Sequence, residues 1–359
     1  MKSTNNSSAE NAAIDINPIP YLTWTWLKIN KDSVSYDFDL SENQGCEVQL
    51  AEGIKVSSGK TVETQLSEPQ FSIGEQAAKL ISDAAAEGKI YTVEKSTEQP
   101  LIIRIKLDSN SATHQIIHAK AGTSANVIIV YESSSDSAAL SGIITKVYAE
   151  DNAKLHISKV QLCGKTVNQI DDTAVVCGER AKVTFTQIEL GASHIDAGFH
   201  ASLEGYQSSF YSDTAYICQG NQYLDMNQVV VHKGKKTVCD MKTHGTAKDD
   251  TTKTYRGTID MVKGCAGSVG NEIETTLLLS PKAVVKAAPI ILCGEEDISA
   301  EHGSTIGKLS NEMLFYMNSR GIDQKTAEEL LTNAKITAAA STIEDENVKN
   351  EILEYLNGK

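Results

Sequence analysis

The chain has 359 residues, 40% of them apolar, with 33 Lys and Arg against 47 Asp and Glu for a formal charge of −14. Such a composition folds around a sizeable core, but the acidic surplus repels a phosphate backbone and no run of Lys or Arg offsets it locally, which argues against a nucleic-acid partner. The opening residues lack the apolar centre of a signal peptide and no stretch approaches the ~18 apolar residues of a membrane span, so the sequence reads as cytoplasmic with no membrane span.

Residues 1–20 are rich in Ser, Asn and Ala and are expected to be disordered. Residues 21–95 read as an N-terminal region of mixed helical and extended character. In "PYLTWTWLKIN" the i, i+2 spacing of Trp24 and Trp26 puts both indoles on one face of an extended segment, where they are expected to anchor on the body. An Ala-rich helix is predicted from about Glu75 to Glu87, closed by Gly88.

From about residue 96 the texture changes to short β-branched runs separated by Gly, Asn, Asp and Ser. Written in rows of 28 the stretch aligns with itself: "GTSANVIIV" at 122, "EDNAKLHIS" at 150, "GERAKVTFT" at 178, "YQSSFYSDT" at 206 and "GKKTVCDMK" at 234. A small residue holds the fourth place of each row (Ala125, Ala153, Ala181, Ser209, Thr237), and in the first three rows the sixth and eighth places are apolar. The second half of each row supplies another strand-like run. A two-strand unit cannot bury its inner face alone, so successive units must stack, which makes a β-solenoid or parallel β-helix over 96–298. The last two rows fit less well, with Asp213 at an inward place and Phe210 and Val238 at outward ones. An antiparallel sandwich is the alternative, but it needs hairpin turns, and Asn-Gly and Asp-Gly steps are missing here.

Residues 299–359 read as a C-terminal helical region. Ser310 can cap a helix through "NEMLFYMNSR", Asp323 a second, and a third runs from about Ile343 to Leu356. Such helices are expected to cover the open edge of the solenoid, to dock a partner, or both. Leu314 and Met317, with Met313 beside them and Arg320 following, form a face too rich in large groups for plain solvent. Removing residues 323–359 is expected to leave the solenoid soluble.

Among candidates for chemistry, His114 and His118 would pair on a helix but lie in a strand-like run, about 13 Å apart at 3.3 Å per residue, so metal binding by the pair is not expected. Asp171 with Asp172 and Asp249 with Asp250 resemble the acid pairs of carbohydrate-cleaving β-helices, but adjacent strand residues point apart, and both pairs read as solvated turn acids. The seven cysteines are odd in number with no CxxC spacing, against disulfides and a closed zinc site. Most read as small buried apolar residues, and Cys163, Cys177 and Cys293, each followed by Gly, as strand ends entering turns. No P-loop, GxSxG or GxGxxG arrangement occurs, so no nucleotide is expected on this chain. That leaves "AEHGSTIG", where Glu301 and His302 sit on what reads as a Gly-flanked bend. From the residues alone His302 is an ordinary turn residue.

The stretch "PIILCGEEDISAEHGSTIGKLSNEMLFYMNSRGI", Pro289 to Ile322, closely resembles the C-terminal signature of the SufB/SufD family, scaffolds of SUF iron–sulfur cluster assembly, in which a "HGATxG" turn precedes an "LFYLxSRGI" helix. "YRGTIDMVKGCAGSVGNEIETTLLLSPKAVVKAAP" is similar to the family's upstream segment, and "TWTWLKIN" looks like its N-terminal Trp motif. The resemblance implies a right-handed parallel β-helix core between N-terminal and C-terminal helical regions. It implies a non-catalytic scaffold, not an enzyme, that builds a transient iron–sulfur cluster with a SufC-type ABC ATPase, held by the C-terminal helices, and a SufB-type paralogue. Gly303 stands where B-type chains have a carboxylate, so the chain is D-like. Ala300 stands where many D-type chains carry a Cys, and no role of that Cys transfers. The family's proposed metal or cluster ligand, at the interface of the two scaffold chains, falls on His302, a borderline nitrogen donor suited to iron beside thiolates. Glu301 could add an oxygen ligand or fix the imidazole. The sequence leaves open whether the partner is a paralogue or a second copy, and which cysteine accepts sulfur. Rival readings are a carbohydrate-active β-helix enzyme and a metal-free solenoid that binds a protein partner.

Overall fold

The computed structural model describes residues 13–36, 38–134 and 138–358. In chain order come β1 (Ile14–Ile16), β2 (Asp32–Val34), β3 (Ser41–Glu42), β4 (Cys46–Gln49), β5 (Ile54–Ser58), α1 (Glu75–Ala84), β6 (Lys89–Val93) and β7 (Leu101–Lys106). The repeat region gives β8 (Ser111–Ala119), β9 (Ser124–Glu132), β10 (Ala139–Ala149), β11 (Lys154–Leu162), β12 (Val167–Cys177), β13 (Lys182–Glu189) and β14 (His194–Leu203). It continues through β15 (Ser209–Cys218), β16 (Tyr223–His232), β17 (Val238–Ala247), β18 (Thr252–Met261), β19 (Ser268–Leu278), β20 (Val284–Cys293) and β21 (Ile298–Gly307). The chain closes with α2 (Asn311–Ser319), α3 (Gln324–Ala340) and α4 (Glu346–Leu356).

Even-numbered strands from β6 to β20 stack into one parallel sheet and odd-numbered strands from β7 to β21 into a second. This is the mainly β, parallel solenoid expected from the rows, with two strands per coil. The sandwich alternative is ruled out by the parallel ladders. Inward residues stack on one another from coil to coil and form a single core, in which the Phe185, Phe199 and Phe210 rings meet at centroid distances of 5.0–6.3 Å.

The coils are not of equal length. Ser124 pairs with Lys154, Lys154 with Lys182, Lys182 with Ser209, Ser209 with Val238 and Val238 with Val269, so the spacing contracts towards the 182–209 coil and then widens again. A residue with left-handed backbone recurs at the same corner: Gly122, Asn152, Arg180, Gln207, Lys236 and Gly267. The short 182–209 coil corrects the row assignment. Phe210 faces inward and is fully buried, while Asp213 faces outward and meets His244 Nε2 at 2.7 Å.

The two ends differ. At the N-terminal end the short strands β4 and β5 run antiparallel to β7 and β6. At the C-terminal end β20 and β21 are the last strands of their sheets, with no further strand on their outer edges among the described residues. Contrary to expectation, the C-terminal helices do not cover that edge. Ile336, Ala339, Ile343, Val348 and Ile352 of α3, α4 and their connection lie on the outer face of the odd sheet, over Ile128, Val160, Ile188 and Ile217, and Arg104 grips Glu351 through two bonds of 3.0 and 2.7 Å. Each fully buried aliphatic side chain contributes about 1.5–3 kcal/mol, so removing residues 323–359 would strip an apolar face rather than leave a soluble solenoid.

The N-terminal region covers the outer face of the even sheet, with Ile16, Ile73 and Ile81 packed near Ile144 and Ile170. Two expectations change here. The disorder expected over 1–20 does not extend to its described part, residues 13–20, where β1 pairs with β2 and Ile14, Ile16 and Asn17 are buried; residues 1–12 lie outside the described residues. Trp24 and Trp26 sit in and beside a 3-10 turn rather than an extended segment, and Trp26 is 80% exposed, so it anchors nothing within this chain. Helix α1 ends at Ala84, short of the predicted end at Glu87, and α4 begins at Glu346 under an Asp345 cap. Ser310 and Asp323 cap α2 and α3 as expected, accepting from Met313 N at 3.1 Å and Thr326 N at 2.8 Å.

Candidate functional site

The stretch "AEHGSTIG" is not a bend. It lies within β21, so the boundary at 298/299 falls inside the last strand and the helical region begins at Asn311. β21 pairs in register with β19, Asn271 opposite Glu301, Glu272 opposite His302 and Glu274 opposite Ser304. Side chains alternate along a strand. His302 therefore shares the lumenal face with buried Glu272, while Glu301 shares the outward face with Asn271. The carboxylate and imidazole diverge, which removes Glu301 as a helper of His302 within this chain. Gly303 and Gly307 have extended backbone and open space where a Cβ would stand, so neither makes a turn.

Below His302 runs an interior column of Val127, Ile157, Phe185, Ser212, Met241 and Glu272. It changes from apolar to ionisable only at the open end. Glu272 is buried, neither of its oxygens makes a well-aligned hydrogen bond although the Tyr255 hydroxyl stands beside them, and burial pushes its carboxyl up to about 8. Gly257 makes room for it, since a Cβ there would stand 1.8 Å from Oε1. In the next column Lys253 Nζ lies 2.6 Å from Glu274 Oε1 and Ser304 Oγ donates to Glu274 Oε2 at 2.6 Å. Burial alone would raise Glu274, but Lys253, Ser304 and Thr276 outweigh it and hold the carboxyl below its ordinary value.

Ala300 stands over Gly270 and Cys239 in a third column. The Cys239 thiol lies 3.2 Å from His232 Nε2, and burial pushes it up to about 12, which makes it a poor nucleophile. Five of the cysteines are buried, as expected, and Cys46 is half-buried. Cys293 is exposed. It ends β20 opposite inward-facing Met261, on the same open end as His302.

The remaining candidates resolve as follows. His114 and His118 lie in β8 and are bound separately, to Ser82 Oγ at 3.2 Å and to Glu150 Oε1 at 2.7 Å. Asp171 and Asp172 point to opposite faces of β12, but they are fully buried rather than solvated turn acids. Asp171 meets Lys159 Nζ at 2.6 Å in the lumen, and Asp172 accepts from Ser72 Oγ and Ile73 N on the outer face, both at 2.8 Å. Asp249 and Asp250 are exposed turn residues, as read. On α2, Leu314 and Met317 turn out half-buried, whereas Phe315 and Tyr316 are 75% and 60% exposed. The outward apolar flank is thus the neighbouring one, with Arg320 stacked over the Tyr316 ring at 5.4 Å.

Residues 103–335 match the family model described as SUF system FeS cluster assembly, SufBD core domain. The chain belongs to the SufBD family. It is 24% identical over 266 residues to the iron-sulfur cluster assembly protein SufD of Bacillus subtilis, covering 73% of this chain and 60% of that protein. It is 23% identical over 234 residues to SufD of Escherichia coli, covering 65% and 55%. A chloroplastic SufBD family protein of Arabidopsis thaliana, ABCI8, is 26% identical over 275 residues, covering 70% and 47%. The chain thus spans about half to three fifths of the length of these relatives. The SufD matches support the D-type assignment read at Gly303.

Within this SufBD chain the sequence reading singled out His302 and did not consider Glu272. Counting back by one sequence row from His302 reaches Glu274, whereas the last coil is longer than a row and brings Glu272 into line instead. Two acids spaced i, i+2 on an inward face were the available signal.

Proposed function

We propose that this chain is a D-type scaffold subunit of SUF iron–sulfur cluster assembly, catalysing no reaction of its own and working in the cytoplasm. The observation that carries the reading is the open end of the solenoid, where the last strand presents an exposed imidazole on the lumenal side directly over a buried carboxyl that no cation neutralises among the described residues. Iron as cargo would be held by His302 Nδ1 or Nε2, with Glu272 beneath as an oxygen donor once deprotonated and Cys293 as a thiolate donor on the same end. A half-filled ligand set suits a site that must release what it assembles. The free edges of β20 and β21 offer unpaired backbone groups to a second scaffold chain, a SufB-type paralogue or another copy, which would complete the ligand set.

Nucleotide chemistry falls to a SufC-type ATPase. Its docking surface on this reading is the exposed Phe315–Tyr316 flank of α2, which follows β21 after a short link and so couples helix movement to the site. The test is anaerobic assembly of the purified complex. His302→Ala and Glu272→Gln should each lower bound iron and sulfide at least severalfold while the complex still forms. Full cluster content in both variants would move the ligands to the partner chains and sink the proposal.

A further inference from the structure

Far from the open end, the N-terminal strap crosses the even sheet and sets Asp32, the first residue of β2, over His194 and Asp196 of β14. His194 Nε2 lies 3.3 Å from Asp196 Oδ2 and 3.9 Å from Asp32 Oδ2, and the three donor atoms all lie within 4.8 Å of one another. Asp196 is fully buried, yet neither of its oxygens nor His194 Nε2 finds a hydrogen-bond partner. Imidazole and carboxylate are close but misaligned. Donors on one ion, at about 2.1 Å each, stand about 3.0–3.4 Å apart at tetrahedral or adjacent octahedral positions and about 4.2 Å apart across it. The 3.3 Å between His194 and Asp196 matches adjacent positions on one ion, and Asp32 at 3.9 Å from His194 needs only a small side-chain swing to join them.

The surroundings are arranged for a cation. Asp32 Oδ1 accepts from Ser33 N at 2.8 Å, and the Tyr223 hydroxyl also bears on the Asp32 carboxylate. Asp225, behind Asp196, is taken by Arg256 and by Asn17 Nδ2 at 2.7 Å. Three carboxyls therefore face one guanidinium and one imidazole, so acidic groups outnumber basic ones around the site. Tyr36 and Tyr223 wall the imidazole at ring distances of 5.6 and 4.4 Å. The side chains of Asp32 and His194 keep 20% and 25% of their surface open to solvent, enough for an ion to enter.

We propose that Asp32, His194 and Asp196 form a site for one divalent first-row transition ion, of the Zn2+ or Mn2+ class, that staples the N-terminal strap to the solenoid. A mixed imidazole and carboxylate set favours these ions over Ca2+ and Mg2+, which prefer oxygen alone. The ligands come from distant parts of the sequence, Asp32 near its start and His194 in the middle of the solenoid, so binding stabilises a long-range contact. The site is independent of cluster assembly.

The test uses the full chain stripped with chelator and titrated with ZnCl2 and, separately, MnCl2. Calorimetry should find one saturable site that Asp32→Asn and Asp196→Asn each weaken at least tenfold. Metal at about a hundredfold excess over Kd should raise the wild-type melting temperature by roughly 5 °C and slow proteolysis within Tyr21–Lys28, and should do neither in the variants. Asp196→Asn keeps the shape of the buried side chain, so its metal-free form should fold and a loss of binding can be read as the loss of a ligand. Equal binding by wild type and both variants, or no binding by the wild type at millimolar metal, would overturn the proposal.

Discussion

Glu189 offers the sharpest test of the solenoid's interior. It is fully buried on β13, with Oε1 accepting from Gln187 Nε2 at 2.8 Å and Oε2 without a partner. Burial and then the nearby Asp171 charge push it up to about 8, while Lys159 is occupied by Asp171. This part of the lumen sets two carboxyls, Glu189 and Asp171, against one ammonium, so Glu189 holds its proton well above the ordinary carboxyl range. An acid with a raised folded-state pKa stabilises most below its unfolded value, here 4.5, and loses that contribution as pH rises towards about 8. At about 1.4 kcal/mol per unit, rising from pH 5.5 to 8 removes at most about 3 kcal/mol, or about 6 °C at roughly 2 °C per kcal/mol for a chain of this size. Glu189→Gln mimics the protonated acid and has nothing to titrate. Thermal melts of both proteins at pH 5.5, 6.5, 7.5 and 8.5 in one salt concentration should show the variant gaining on wild type by about that amount. Parallel curves would mean that Glu189 is ionised throughout, and the charge count for the lumen would be wrong.

Other outcomes follow from the same geometry. Ile352→Ala should cost about 2–5 kcal/mol in chemical denaturation, because α4 buries that side chain completely against the odd sheet. Gln207→Gly should raise the melting temperature by about 1–2 °C, since Gln207 holds a left-handed backbone at an exposed corner. Phe315→Ala with Tyr316→Ala should leave the melting temperature within about 1 °C while reducing co-purification with the ATPase several-fold. His302→Ala should likewise melt with wild type, because no coil packs over it, so any loss of iron in that variant can be read as loss of a ligand.

The solenoid was legible because its constraint is periodic: Ala153 and Ala181 recur where a strand turns inward, and the two-residue difference between the first coil and the second, being even, leaves inward and outward places in phase. Legibility failed where coil length drifted, as at Phe210 and Asp213, because one missing residue inverts every side chain after it. Asp171 and Asp172 were read as solvated because a carboxylate is rarely buried without a partner, and their partners, Lys159 and the 72–73 backbone, are fixed only by stacking. His302 was visible through resemblance, but its lumenal aim and the carboxyl beneath it needed the register of β19 and β21. The Trp26 indole misled because an apolar side chain is normally covered, and here none of the described residues covers it.

The unlike ends of the solenoid limit what it can build. A rod with two free sheet edges adds copies at either end without limit, as amyloid does. Here the N-terminal edges are the short antiparallel strands β4 and β5, of 4 and 5 residues, which give a parallel coil little to extend, whereas β20 and β21 each offer 10. On the proposed pairing, two such C-terminal ends would use up both long edges in a closed pair rather than a growing stack. The few residues of β4 and β5 thus act as a chain terminator in the polymer sense, keeping a sheet stack of this size from becoming a fibre.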